Sequence, residues 1–481
     1  MPDTARRETR RASFCEDVML RKYFGDKKFY ATVMAVALPI MVQNAITNFV
    51  GMLDNIMVGQ VGNAQMSGVS IVNQLLFVFN LCIFGAVSGA GIFTAQFAGS
   101  RDHQGIRSTF RFKILVCLLL TALGVTAFIV GGEPLIRLYL QGEGSATDAE
   151  LFLKYGKEYM HVMLFGLLPF ALTNAYASTL RESGQTVVPM TAGISAVLIN
   201  LVLNYILIYG HLGIPAMGVR GAALATVISR YVELAVVVAW THTHAEQQQF
   251  IRGAYRSFRI PADLTRKIVV KGMPLLINEA LWSSGMAILN QCYSVRSLGV
   301  VSAVNISSTI WNVFSVSFLA MGNAVGIIMG QKLGAGDSRE EVMSTDRKLV
   351  AFSVMFCLGF GVCLAALSDV FPLIYKTSDE IRSLAGNFIR IGAMFMPFHA
   401  YTNAAYFTLR SGGKTLVTFL FDSCFVWTVC IPLAWCLSHY TGLPIIPLYF
   451  VCQATEVVKC FLGAYMLKKG TWIQNMVRVK P

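Results

Sequence analysis

Apolar residues fall along this chain in long, nearly unbroken runs rather than in alternation or a narrow helical stripe. Twelve such runs stand out, at roughly 30–56, 66–98, 110–131, 152–178, 187–210, 219–240, 272–295, 303–330, 348–367, 386–408, 416–438 and 445–467. About 20 consecutive apolar residues carry an α-helix across the hydrocarbon core of a bilayer. The pattern therefore predicts an all-α integral membrane protein of twelve transmembrane helices. Six runs precede a polar stretch at 241–271 and six follow it. The expected layout is a cytoplasmic tail at 1–29, a six-helix lobe at 30–240, a cytoplasmic inter-lobe loop at 241–271, a second six-helix lobe at 272–467 and a cytoplasmic tail at 468–481. Within the loop, RSFRIPADLTRK reads as a short surface helix begun near Asp263, and the whole loop as a tether between two mobile bundles.

Composition agrees with a lipid solvent. The 481 residues are 55% hydrophobic and 14% charged, with mean hydropathy +0.58; a soluble domain carries roughly 25% charged residues. The net charge of +13 invites a nucleic-acid partner, but its distribution does not. With the N-terminus inside, inner segments hold 29 of the 39 Lys and Arg, outer ends hold 7 and three lie within spans. This positive-inside bias places both termini in the cytoplasm of a cell held by its plasma membrane, and no nucleic-acid role is expected. The N-terminal MPDTARRETRRASFCEDVMLRKYFGDKK lacks the apolar core and cleavage site of a signal peptide. It reads as a tail lying on anionic membrane lipid. Ten of the eleven cysteines fall inside the apolar runs without CxxC or paired loop spacing, so packing thiols are expected, not disulfides or a metal site.

One 14-residue stretch is written twice. Residues 173–186 read TNAYASTLRESGQT and residues 402–415 read TNAAYFTLRSGGKT, identical at eight positions with a constant offset of 229. Gly91, Gln96, Gly99 and Asp102 likewise match Gly326, Gln331, Gly334 and Asp337, each 235 residues later. The chain is a tandem duplication. Six spans per half is an even number, so the halves enter the membrane in the same direction and are related by an axis along its normal. Both Leu-Arg-x-x-Gly-x-Thr segments then form cytoplasmic turns, with Gly permitting the reversal and Arg181 and Arg410 anchoring helix ends at the headgroups.

Ionisable and amide groups at depth carry the candidate chemistry, because each is costly in lipid. Asp54 sits in the first span, and Asn200 and Asn204 share a face of the fifth. Thr226 lies in the sixth, where Arg230 and Glu233 are spaced to pair. Glu456 and Lys459 in the twelfth span are spaced likewise, and His399 reads as a core histidine. Asp54 and Glu279 have no basic residue within four positions, and Asp422 stands alone in Phe-Leu-Phe-Asp-Ser-Cys-Phe. A buried carboxylate takes up a proton near neutral pH, and one ringed by amide and hydroxyl oxygens suits sodium. Either ion biases which way a cleft opens.

At these residues the chain resembles the multidrug and toxic compound extrusion (MATE) family from about residue 30 to 467. The resemblance rests on Leu38-Pro39, Leu53-Asp54-Asn55-Ile-Met-Val-Gly59, Gln96-x-x-Gly99, both Leu-Arg-x-x-Gly-x-Thr turns, Asn200-x-x-x-Asn204-x-x-Leu207-Ile208-x-Gly210 and Gly221-Ala-Ala-Leu-Ala-Thr226. It implies two six-helix lobes in a V, functional as a monomer, exporting small cationic or amphiphilic organic compounds in exchange for Na+ or H+, with no other cofactor. By it, Asp54, Asn200, Asn204 and Thr226 look like a first-half cation site able to hold Na+. Asn204 departs from the aspartate of several members, leaving one carboxylate instead of two. Glu279 resembles a coupling acid of another branch, and Asp422, His399, Trp282 and Trp311 are expected to line the substrate cavity.

Two rival functions are weaker. A lipid-linked oligosaccharide flippase needs a basic cavity for pyrophosphate, whereas the acids and bases within these spans are balanced. A membrane-embedded transferase needs clustered Asp for magnesium-pyrophosphate chemistry, and no DxxxD or DDxxD lies in a span, nor a Walker A motif anywhere. The chain is not expected to be an enzyme.

Overall fold

Helices account for all the regular secondary structure in the computed structural model, which describes residues 23–139, 146–295 and 297–478. Most of the expected N-terminal tail, the last three residues of the C-terminal tail, and Arg296 lie outside these residues. In chain order the helices are α1 Lys27–Gly59, α2 Asn63–Gly99, α3 His103–Tyr139, α4 Ala146–Met163, α5 Leu167–Glu182, α6 Val187–Tyr209 and α7 Val219–Thr243. There follow α8 Ala262–Ser294, α9 Leu298–Ala335, α10 Arg339–Ala366, α11 Asp379–Ser411, α12 Thr415–Phe419, α13 Ile431–Tyr440 and α14 Ile445–Lys469.

Among the described residues, ten helical stretches are long and apolar enough to cross a membrane, with α4–α5 and α12–α13 each counting as one continuous rod. Helices α8 and α11, at 33 residues each, are as long as several of them but fall outside the ten. Asn278, Glu279, Ser283 and Ser284 dilute the apolar stretch of α8, and Arg390, His399 and Asn403 that of α11. The interruptions include two of the residues singled out as candidates, Glu279 and His399. Several rods overshoot the apolar runs: the 38 residues of α9 rise about 57 Å, well beyond a hydrocarbon core of about 30 Å.

Packing divides the chain into two compact units, one of residues up to Met41 together with those from Leu281 onward, the other Val42–Ala280. The boundaries fall inside α1 and α8. In the first unit Val33 and Ala37 of α1 join a core with Met321, Ala324, Leu349, Leu409 and Trp472. In the second, Gly89 of α2 lies so near Gly272 of α8 that a Cβ there would come within 2.5 Å of the Gly272 Cα.

The duplicated segment builds the same turn twice. Gly184 and Gly413 adopt the left-handed conformation (φ 93° and 72°). Each donates its N–H to the carbonyl three residues back, Arg181 at 3.0 Å and Arg410 at 2.8 Å. The next residue donates to Leu180 at 2.8 Å in one copy and Leu409 at 3.2 Å in the other. These are glycine-terminated helix ends that satisfy the last carbonyls. Gly413→Ala would impose the left-handed penalty of about 1–2 kcal/mol and push its Cβ into the Met476 thioether; a lowered midpoint in a detergent thermal melt is the expected readout.

After the last helix of the second half, the chain folds back over that turn. Trp472 is fully buried and donates from Nε1 to the Leu467 carbonyl at 3.2 Å, and a side chain on Gly412 would overlap its backbone. In the other unit, Arg107 and Arg111 donate to the carbonyls of Gln249, Phe250, Gly253 and Ala254 at 2.7–3.1 Å. Phe250 is buried against Phe110. The loop at 241–271 is thus tied to its own unit, its carbonyls and aromatic groups finding partners on α3. Nor does a separate surface helix form near Asp263. Alpha-8 begins at Ala262 and runs on unbroken, because nothing between there and Pro274 interrupts it.

Candidate cation site

Three helices bring the first-half polar residues together. Small residues let α6 and α7 approach closely: Gly221, Ala222, Ala223 and Ala225 are buried, and a Cβ on Gly221 would lie 2.5 Å from the Leu207 carbonyl oxygen. The Tyr209 hydroxyl ties the end of α6 to α1, donating to the Met57 carbonyl at 3.0 Å and to Gln60 Oε1 at 2.8 Å. This registers Asp54 of α1 against Asn200 and Asn204 of α6 and Thr226 of α7.

The cluster is closed on itself. Asn204 Nδ2 donates to Asp54 Oδ1 at 2.6 Å and to Asn200 Oδ1 at 3.2 Å, while Asn200 Nδ2 lies 3.3 Å from Thr226 Oγ1. With its amide turned over, Asn200 instead donates to both Asp54 oxygens at 3.0 Å and accepts from the Thr226 N–H and hydroxyl at 3.3 Å. Asn200 and Asn204 are 5% and 1% exposed. In this state amide N–H groups hydrogen-bond the carboxylate, and the Asn204 Oδ1 is buried without a hydrogen-bond partner. An amide carries an acceptor and a donor on one rotor. A half-turn therefore replaces N–H donors at Asp54 by oxygens, the donor set a hard monovalent cation takes. All four sequence candidates meet here.

Asp422, Glu456, His399 and Trp311 form a different arrangement in the other unit, whereas Glu279 belongs to the unit that holds Asp54. Asp422 is not alone: Lys459 Nζ donates to its Oδ1 at 2.9 Å. The expected local Glu456–Lys459 pair is present as well, at 3.9 Å, the looser of the two contacts of that ammonium. Asp422 lies in a stretch of π-helix, Leu420–Cys424, whose wider turn re-aims side chains relative to an α-helix. Glu456 accepts from the Thr402 hydroxyl at 3.0 Å and faces His399 Nδ1 at 3.8 Å. The His399 ring lies edge-on to Trp311, centroids 5.2 Å apart, and stacks on Phe318 at 5.8 Å. Trp282 is 41% exposed, and Glu279 is half-buried on the same helix.

One further expectation changes. Arg230 does not reach for Glu233; it donates to the Gly166 carbonyl at 3.1 Å and lies over the Phe170 ring, because the 3₁₀ turn at Leu164–Gly166 presents that carbonyl. Arg181, expected to anchor a helix end, donates to Gln43 Oε1 at 3.4 Å.

The sequence missed one buried pair altogether. Lys113, counted by position as an inner-face cation, is fully buried and donates to Glu182 at 2.5 Å, Ser178 at 3.0 Å and Thr179 at 3.2 Å. At the matching place in the second half, the Thr408 hydroxyl donates to buried Asp346 at 2.7 Å. Thr179 and Thr408 are the same residue of the duplicated segment. Its hydroxyl accepts from a cation in one half and donates to an acid in the other, and the paired threonines were the available signal.

A helical chain of long apolar spans that gathers one acid, two amides and a hydroxyl at depth has the construction of a secondary transporter. The chain belongs to the MatE family, whose model matches residues 39–206 and 274–436. That is a family of transporters, not enzymes. A probable multidrug resistance protein NorM of Thermotoga maritima is 25% identical over 450 residues, 92% of this chain and 93% of that protein. Probable multidrug resistance protein YoeA of Bacillus subtilis is 23% identical, covering 88% and 90%. Among solved structures, an outward-facing multidrug resistance MATE family transporter of the MOP superfamily superimposes with TM-score 0.82 at 18% identity, over 94% of this chain and 98% of that one. A MOP superfamily transporter from Pyrococcus furiosus, described as having reverse polarity of its binding pocket, gives 0.79 at 18%. They share the fold.

Proposed function

We propose that this protein is a secondary active exporter of cationic or amphiphilic organic compounds in the plasma membrane, exchanging its cargo for Na+ or H+. The observation that carries the reading is the cluster of Asp54, Asn200, Asn204 and Thr226, drawn from three helices and holding a single negative charge with rotatable amides. Na+ or a proton displaces the amide N–H groups from Asp54. Because either ion binds one arrangement of the helices more tightly than the other, its gradient does work on the cargo. Helices α8 and α11 complete twelve spans in two six-helix lobes, with both termini cytoplasmic. Glu279 adds negative charge for a cationic cargo, and Trp282, Trp311, His399 and Asp422 contribute contacts in the second half. The relatives' names, multidrug resistance proteins, support this cargo class. The four residues of this cluster include no cation, which speaks against pyrophosphate-linked lipid cargo.

The test is efflux of a fluorescent organic cation from proteoliposomes with sodium and proton gradients imposed separately. One of the gradients is expected to accelerate efflux; equal rates with and without either gradient would overturn the reading.

A further inference from the structure

Near the C-terminal end of α3 a cavity of about 440 Å3 opens against α4, with Ile129, Val130, Pro134, Arg137, Lys157 and His161 in its lining. Glu133 joins the two helices there. It accepts from Arg137 Nη2 at 2.8 Å and from Lys157 Nζ at 2.6 Å. Among the described residues no other carboxylate lies within ion-pair reach of these two cations, so they exceed their acid by one positive charge. Their side chains are 58% and 39% exposed, which leaves both open to an incoming anion.

About one turn further along α3 toward its start, the lining becomes apolar. Ile129 and Val130 are 65% and 77% exposed, as branched side chains are where lipid is the solvent. His161 stands one turn beyond Lys157 on α4. The two helices meet closely behind the cavity, since a side chain on Gly132 would overlap the Met160 methyl. From Arg137 to Ile129 the helix rises about 12 Å. Over that rise the lining passes from cations through an imidazole to hydrocarbon. A phospholipid carries matching groups in the same order: phosphate, ester carbonyls, acyl chains. Guanidinium and ammonium donate to phosphate oxygens, an imidazole N–H donates to a carbonyl, and methylenes gain by covering exposed apolar side chains. Depth agrees. The 37 residues of α3 rise about 55 Å, so its last turns pass beyond a hydrocarbon core of about 30 Å into the headgroup layer.

We propose that this cavity binds a phospholipid of net negative charge, its phosphodiester between Arg137 and Lys157 and an acyl chain along Ile129 and Val130. Glu133 is a positioning residue, holding the two cations at a fixed separation. A zwitterionic headgroup brings a cation of its own beside the phosphate, which the surplus positive charge disfavours. With both termini cytoplasmic, as proposed above, the lipid belongs to the outer leaflet. The site lies within one packing unit, and its occupancy needs neither cargo nor an ion gradient.

Native mass spectrometry of the detergent-purified protein, titrated with dioleoyl phosphatidylglycerol, reads the first lipid bound. Arg137→Gln combined with Lys157→Met is expected to weaken that binding roughly tenfold or more, since two charge-assisted hydrogen bonds are lost. Arg137→Lys combined with Lys157→Arg keeps both charges and should retain it. Dioleoyl phosphatidylcholine should bind more weakly than phosphatidylglycerol in wild type, and equally in wild type and the neutral variant. Glycerol phosphate, which has the phosphate without the chains, should not displace the lipid. Equal affinity for phosphatidylglycerol in wild type and the neutral variant would overturn the site. Equal wild-type affinity for the two lipids would overturn the charge match, and displacement by glycerol phosphate would replace the lipid with a soluble phosphate ligand. The last two comparisons use wild-type protein alone, so they decide even where a variant folds poorly. Efflux through Asp54 is read separately, and its failure would leave the lipid site standing.

Discussion

Asp54→Asn is expected to lower gradient-driven efflux at least tenfold, a loss of about 1.4 kcal/mol of coupling, while leaving the protein folded. Asp54 is the one ionisable group among four residues whose other members are amides and a hydroxyl. Asparagine has nearly the same shape and keeps a hydrogen bond with Asn204, now 2.6 Å from the carboxylate. What disappears is the charge that attracts Na+ or a proton. Residual leak of cargo should then be insensitive to both gradients, and undiminished gradient-dependence in proteoliposomes would exclude Asp54 from coupling. The converse substitution is equally informative. Asn204→Asp would set two carboxylates side by side, and such a pair shares a proton because both cannot ionise together. Efflux in that variant is expected to shift toward dependence on the proton gradient.

Lys113→Met should destabilise the protein by about 3–5 kcal/mol, the usual effect of stranding one member of a buried ion pair. Lys113 is wholly buried and Glu182 is 14% exposed, so little water is present to compensate the remaining carboxylate. Gly91 closes the pocket from α2: a side chain there would overlap the Glu182 carboxylate. The double variant Lys113→Met with Glu182→Gln should recover most of the loss, because no net charge is then left behind. Thermal unfolding in detergent reads both. A single variant as stable as wild type would mean that Glu182 finds water or another partner at no cost.

The lipid-facing character of the chain was legible because hydrocarbon imposes one requirement on every spanning segment, an apolar run closed on its own hydrogen bonds. The first-half polar cluster was partly legible for a related reason. Asp54, Asn200, Asn204 and Thr226 are conspicuous in such surroundings, while their grouping into one cluster came from the family resemblance. Pairing was much less legible. Asp422 and Lys459 lie 37 positions apart and Lys113 and Glu182 lie 69 apart, so spacing rules that work within one helix could not connect them. Those rules instead favoured Arg230 with Glu233, where a carbonyl from the Leu164–Gly166 turn competes successfully for the guanidinium.

By itself, then, the sequence determined the solvent, the helical class, the duplication and the unusual groups at depth, all consequences of local composition. The tertiary structure decided which charge neutralises which, because helix approach sets those distances. It also decided that the duplicated threonine serves a cation in one half and an acid in the other. The two copies share a backbone, and the side chains packed around it differ.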